Sequence, residues 1–495
     1  MPDNYQSEYA DFSSALMREY YLHHSGRKDE LELALLYDRY GDLFTRDAIE
    51  KLKRNLEETS PHFETERAAL GRLLLFATEQ FLENSAKHIT EEISQYECSA
   101  SVEWSGRKMT FQDSAVALMN ERDRRSRHSI YELRLALIDA SNDLRIERLS
   151  KLHEGARALG YAGYREAFEK LHGLDYTRLA REAETFLSRT ESVYVSHLDE
   201  ALKQSLGISL SEARRPDATY FVHLTSFDDR FPVERLLLVY RETMSGLGIA
   251  VEAQKNIEID CEDRPRKSPR AFCAPVFIPD DIKLVIRPAG GQSDYQSFFH
   301  ESGHAQHYGW TSAGLRPEFK YTGDYALTET FAFLFDHLVV DDAWLYRHLD
   351  FRDSLGFIRS ALLARLVTIR RYAAKLIYEC SLHAGGSLTQ ASDDYADLQS
   401  RATMFETGGA EFLFDLDDSF YSANYLRAWA LEVALREYLK ERYGREWWAS
   451  KRAGAFLKEV WETGERYTAD EMASQIGISP ISFDLLADEF NQELK

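Results

Sequence analysis

Residues 297–310 read SFFHESGHAQHYGW and bring His300, Glu301 and His304 together in the spacing H-E-x-x-H. On a helix, residues four apart share one face, so both imidazoles can meet a single divalent ion. Glu301, next to His300, then reaches a water bound to that ion rather than the ion itself. A metal that activates water keeps one position open, so such chemistry asks for one further protein ligand. The segment YTGDYALTETFAFLFDHLVV supplies a candidate in Glu329. Asp336, seven residues later on the same face, could accept the N–H of a ligand imidazole. The competing readings are two surface histidines on a helix, a capping glutamate and a solvated aspartate.

These side chains need two helices to carry them. Ser293-Asp294-Tyr295-Gln296 fits a capping box ahead of Phe298 and Phe299, which predicts a helix from there through about His307. The apolar stripe of ETFAFLFD predicts a second. From about residue 5 to 206 the chain is a succession of amphipathic helical patterns, such as LELALLYDRYGDLF and ERAALGRLLLFATEQFLENS, without a fixed-period repeat. Between about 214 and 292 prolines and short β-prone runs appear, and IKLVI at 282–286, between Pro279 and Pro288, reads as a strand. Helices resume from Ser293, with a late capping box at Thr468 and Glu471. The expected organisation is an N-terminal helical region, 1–206, and a catalytic region with a small sheet, 207–495, interleaved as one cooperative body.

The chain has 495 residues, 44% hydrophobic and 29% charged, a composition that folds around a large core. A formal net charge of -22 repels phosphate backbones and anionic lipid, so nucleic acid is not an expected partner. The basic run RDRRSR at 122–127 continues into a leucine-bearing helical pattern and reads as the solvated face of a helix. Four cysteines, Cys98, Cys261, Cys273 and Cys380, form no CxxC pair, which favours a reducing compartment. The start MPDNYQSEYADF has neither a basic nor an apolar stretch, and no run approaches the roughly 18 apolar residues of a membrane span. The expectation is a cytoplasmic protein with no membrane partner.

The stretch FFHESGHAQH, with glycine at 303, resembles the zinc-binding helix of the thimet oligopeptidase and oligoendopeptidase F family, and the glutamate of ETFAFLFD resembles that family's third ligand. The resemblance implies a mainly α, two-lobed, zincin-like peptidase with a deep central channel and a small β-sheet beside the metal site. It implies one Zn²⁺ held by His300, His304 and Glu329, Glu301 as the base, and short peptides as substrates. RAFCAPVFIPDDIKLVI is similar to the family's edge strand that pairs with substrate backbone, which puts Leu284 and Val285 at the substrate. SFYSANYLRAW resembles the family's tyrosine-rich segment, which makes Tyr421 and Tyr425 donors to the oxyanion. Two positions depart from the family pattern: Leu416 stands where a histidine is expected and Ala428 where a later tyrosine is, with Asn424 and Arg427 nearby.

The same resemblance admits a metallocarboxypeptidase if Arg427 faces the channel and pairs with a terminal carboxylate. It also admits a peptide-binding relative without turnover. A carboxylate-bridged di-iron protein is a third reading, because Glu301 to His304 also spells E-x-x-H; that class needs a second such motif on another helix of the same bundle core. Cobalt or manganese would suit the donor set as well as zinc. His307, one turn past His304, reads as a hydrogen-bonded structural residue.

Overall fold

A computed structural model describes residues 4–264, 266–385, 387–478 and 480–494. It is 71% helical with two small sheets, the mainly α architecture expected. Two compact units are built from interleaved stretches of chain. The first comprises Met1–Gln80, Ser226–Ile358 and Arg427–Leu485; the second comprises Phe81–Thr225, Arg359–Leu426 and Leu486–Lys495. Six helices position the residues of interest: α1 (Tyr5–His24), α2 (Arg124–Ala140), α3 (Gln292–Trp310), α4 (Tyr325–Asp336), α5 (Leu355–His383) and α6 (Tyr421–Tyr443). The strands are β1 (Ser101–Trp104), β2 (Arg107–Thr110), β3 (Ile257–Asp260), β4 (Phe272–Phe277) and β5 (Asp281–Val285).

In the first unit, α3 and α4 form the centre of the core. Every residue of α4 from Ala326 to Asp336 is buried, so this helix has no solvent face at all. Phe298 and Phe299 of α3 are fully buried, and Phe299 meets Trp344 edge to face at 5.2 Å. Each such ring contributes on the order of 1.5–3 kcal/mol by leaving water, which fixes the helix pair rigidly enough to hold a site.

The start of α3 differs from expectation. Ser293 and Gln296 make no capping box; the helix begins at Gln292, with Gly291 at its N-cap in a backbone conformation, φ +95°, that suits glycine. Its first N–H, from Gln292, is taken by the Asp228 carboxylate at 3.1 Å, a partner supplied from 64 residues away. Asp294 is drawn backward instead, accepting from the Ala289 and Gly290 amides. The box at Thr468 and Glu471 does form, and caps the helix Ala469–Ile476.

The sheet of the first unit has the order β3-β5-β4, with β5 parallel to β3 and antiparallel to β4. The strand expected at 282–286 is therefore the central one. Helix α1 covers one face, where Tyr21 packs with Ala274, Val276 and Val285. In the second unit the region read as wholly helical also contains the β1–β2 hairpin. Its two-residue turn is Ser105 (φ +50°) and Gly106 (φ +72°), the left-handed pair that a tight hairpin needs.

Candidate metal centre

Helices α3 and α4 approach one another at Gly303. A Cβ there would lie 2.4 Å from the Phe331 carbonyl oxygen and 2.6 Å from the Ala332 Cα, so only glycine admits the contact. This closeness brings Glu329 against the two imidazoles. His300 Nε2 is 3.3 Å and His304 Nε2 3.6 Å from Glu329 Oε2, and the donor atoms of all three lie within 4.8 Å of one another. Ligands about 2.0–2.1 Å from a tetrahedral zinc stand about 3.4 Å apart, close to the two separations that Glu329 makes with the imidazoles.

Each imidazole is oriented from behind. His300 Nδ1 is 3.3 Å from Asp336 Oδ2, and His304 Nδ1 is 2.8 Å from Thr328 Oγ1. A proton on each Nδ1 leaves the Nε2 lone pairs facing Glu329, the tautomer that metal ligation requires. Sequence reasoning singled out Asp336 but not Thr328, whose only signal is its place immediately before Glu329. Phe333 packs its ring against His300 at 5.1 Å and against Trp429 at 4.7 Å, closing the apolar side of the site.

Glu301 lies beside the three donors without joining them. Its Oε2 accepts the backbone N–H of Cys273 at 2.8 Å, so the outer edge of β4 fixes the carboxylate. Burial pushes the Glu301 carboxyl above its ordinary value, against the lowering influence of His300 and His304. Burial likewise opposes charge on His300, but the Asp336 and Glu329 carboxylates outweigh it and favour the imidazolium. The cluster thus has an electrostatic demand for positive charge. Two imidazoles, once deprotonated at Nε2, and a carboxylate are also the donor set that zinc takes.

Two expectations are corrected. Leu284 and Val285 sit on the central strand with neighbours on both sides and are 0% and 1% exposed, so neither can offer backbone to a peptide; the edges belong to β3 and β4, and β4 is the one that touches Glu301. Arg427 does not face solvent. It is 2% exposed and clamps Asp324 bidentately at 2.7 Å, with Asp470 at 3.0 Å. Asp324 in turn caps α4 through the Ala326 amide, and the guanidinium overrides burial to hold its carboxyl well below the usual range. Arg427 therefore anchors the helix that carries Glu329. Leu416, at the departure from the family pattern, packs against a cluster with Leu149, Tyr378 and Phe412.

Tyr421 and Tyr425 open α6 in the second unit, with ring centroids 5.0 Å apart, and Tyr372 meets Tyr425 at 5.1 Å. His307 is fully buried, its Nε2 3.3 Å from the Gly464 carbonyl, and burial pushes its pKa down to about 3. Among the described residues, the three donors form the one group of histidine, cysteine and acidic side chains close enough to share a metal.

Two imidazoles and a carboxylate, brought together by two helices that meet at a glycine, form a group that could hold a metal ion. No protein-family model and no curated protein matches the sequence. Solved structures do match the fold. One is a Bacillus anthracis str. Ames protein labelled oligoendopeptidase F, with a TM-score of 0.67 at 13% identity over 98% of this chain and 90% of that one. A second protein so labelled, solved at 3.1 Å, gives a TM-score of 0.72 at 14% identity over 99% and 91%. PZ peptidase A with an inhibitor gives 0.66 at 13% over 98% and 92%. The chain has the fold of these proteins along nearly its whole length.

Proposed function

We propose that the protein is a zinc-dependent peptidase that hydrolyses peptide bonds in short oligopeptides. The observation that carries this reading is the convergence of His300 Nε2, His304 Nε2 and Glu329 Oε2, each imidazole held from behind, with Glu301 alongside. Zinc held by these three would supply Lewis acidity, acidifying a water and polarising a carbonyl. Glu301 takes the proton of the attacking water and delivers it to the leaving amine, a task suited to a carboxyl whose affinity for protons is raised. Tyr421 and Tyr425 are assigned the developing oxyanion on the resemblance of their segment. The outer edge of β4, beyond the Cys273 N–H that Glu301 holds, would take the substrate backbone, because a strand edge without a neighbouring strand offers main-chain groups to any sequence. Solved proteins of the same fold that carry peptidase names support this reading.

The carboxypeptidase alternative loses its motivating residue, since Arg427 is committed to Asp324 and Asp470. No helix among the described residues is long and apolar enough to cross a membrane. The test is metal analysis of the purified protein together with cleavage of a defined mixture of short peptides, with and without chelator. One zinc per chain and internal cuts lost on chelation are expected. Zinc without cleavage would leave a peptide-binding relative, and cleavage unaffected by metal removal would refute the metal reading.

A further inference from the structure

The chain immediately before Tyr421 is strained. Ser419 (φ +55°) and Phe420 (φ +56°) both adopt the left-handed region that residues with a Cβ rarely enter, and two in succession need an outside cause. The cause lies on α5. Glu379 is 0% exposed, and its two carboxylate oxygens take the two ends of the turn: the backbone N–H of Asp417 at 2.8 Å and the hydroxyl of Ser422. Within the turn, the Ser419 N–H donates to the Tyr164 hydroxyl at 2.9 Å, and the Phe420 ring stacks on Tyr176 at 4.3 Å. Lys375, one turn before Glu379 on α5, holds the Asp417 carboxylate at 2.7 Å.

A fully buried carboxyl is a costly way to fill space; an apolar side chain of similar volume does so without desolvating charge. Burial pushes the Glu379 carboxyl above its ordinary value, against the lowering pull of Lys375 and of the hydrogen bonds from Ser422 and Asp417. What an apolar residue could not do is bind both ends of an unfavourable turn and so fix where the next helix begins. The first two ring positions of that helix are Tyr421 and Tyr425.

We propose that Glu379 is a positioning residue for catalysis: by clamping residues 417–422 into a strained turn it sets the start and rotation of α6, and so the aim of the Tyr421 and Tyr425 hydroxyls. The inference rests on the reading of those tyrosines given above and adds to it a residue that touches no substrate.

A double-mutant cycle tests it. Glu379→Gln keeps the side chain's shape but replaces one accepting oxygen by an amide. Misaimed donors should cost about tenfold in kcat, with KM and zinc content unchanged. On a Tyr421→Phe, Tyr425→Phe background the same substitution should cost no more than about twofold further, because there is nothing left to aim. A tenfold loss that persists in that background, or wild-type kcat in Glu379→Gln, overturns the proposal. Wild-type kcat in the double Phe variant instead removes the tyrosine reading on which it rests. Should Glu379→Gln fail to accumulate as folded protein, Ser422→Ala, which releases one end of the clamp, runs through the same cycle with the same criteria.

Discussion

The first unit gathers His300, His304 and Glu329; the second gathers Arg124, Arg127 and His128 around Asp217. Both clusters set a buried carboxylate against nitrogen-bearing side chains three or four residues apart on one helix, α3 in one case and α2 in the other. They differ in what the nitrogens can offer. Arg127 is fully buried, donates at 2.7 Å and has no lone pair to give; with Arg124 at 3.0 Å it brings permanent positive charge to Asp217. Neutral imidazoles bring lone pairs and no charge. A carboxylate among guanidiniums is complete, whereas one beside His300, with Glu301 and Asp336 close by, still draws positive charge, which a proton on that imidazole or a metal ion can bring. Residue types within reach of each other therefore do not define a metal site; the sign of the remaining charge does.

The comparison can be broken most severely at Glu329. Glu329→Ala should weaken zinc binding by more than the roughly 10–100-fold typical of outer partners and remove turnover with it; equilibrium dialysis showing unaltered zinc affinity would mean the third ligand is elsewhere. Glu301→Gln should lower kcat by about 10²–10⁴, the range of a lost general base, while zinc stays bound. Near wild-type turnover in that variant would take Glu301 out of the chemistry. Asp336→Asn should act at the lower end of the outer-partner range, about tenfold on zinc affinity, because an amide oxygen can still accept from His300. Zinc titration of the apo-protein checks it, and no change would reduce Asp336 to packing.

What could be read from the sequence follows the range of the interaction that decides it. His300, Glu301 and His304 were legible because helical periodicity alone relates them, and Gly303 now has a physical reason in the crossing of α4. That Glu329 and Asp336 come up to the imidazoles was legible on the supposition of a metal, which asks for a third ligand and an orienting acceptor. Thr328 was not, since a threonine inside a helix carries no mark of the imidazole it meets. Strand order was not either: an apolar run at 282–286 looks the same whether central or at an edge, and its place is set by pairing with β3, over 20 residues earlier. The cap of α3 escaped for a similar reason, Asp228 being far away in sequence while a plausible local box stood in place. The run at 122–127, expected as a solvated face, was misread where Arg124 and Arg127 turn inward to Asp217, 93 and 90 residues on.

That buried cluster supplies the smallest expected effect on zinc and turnover, and so the sharpest control. Asp217→Asn strands Arg127 without its counter-charge and should cost about 3–5 kcal/mol of stability, yet leave zinc content and kcat per folded molecule unchanged. The pH dependence has a definite sign. Burial would raise the Asp217 carboxyl, but hydrogen bonds from Arg124, Arg127 and His128 outweigh it and lower its pKa. Its contribution to stability is then fully present above the unfolded aspartate value of about 3.9 and is lost as pH falls through the lower folded value. Melting temperatures of the wild type and Asp217→Asn should therefore stay well apart from neutral pH down to about 4 and converge below it. A gap that is absent at pH 7, or zinc bound differently by the variant, would show that the guanidinium cluster is not the self-sufficient counterpart of the imidazole one.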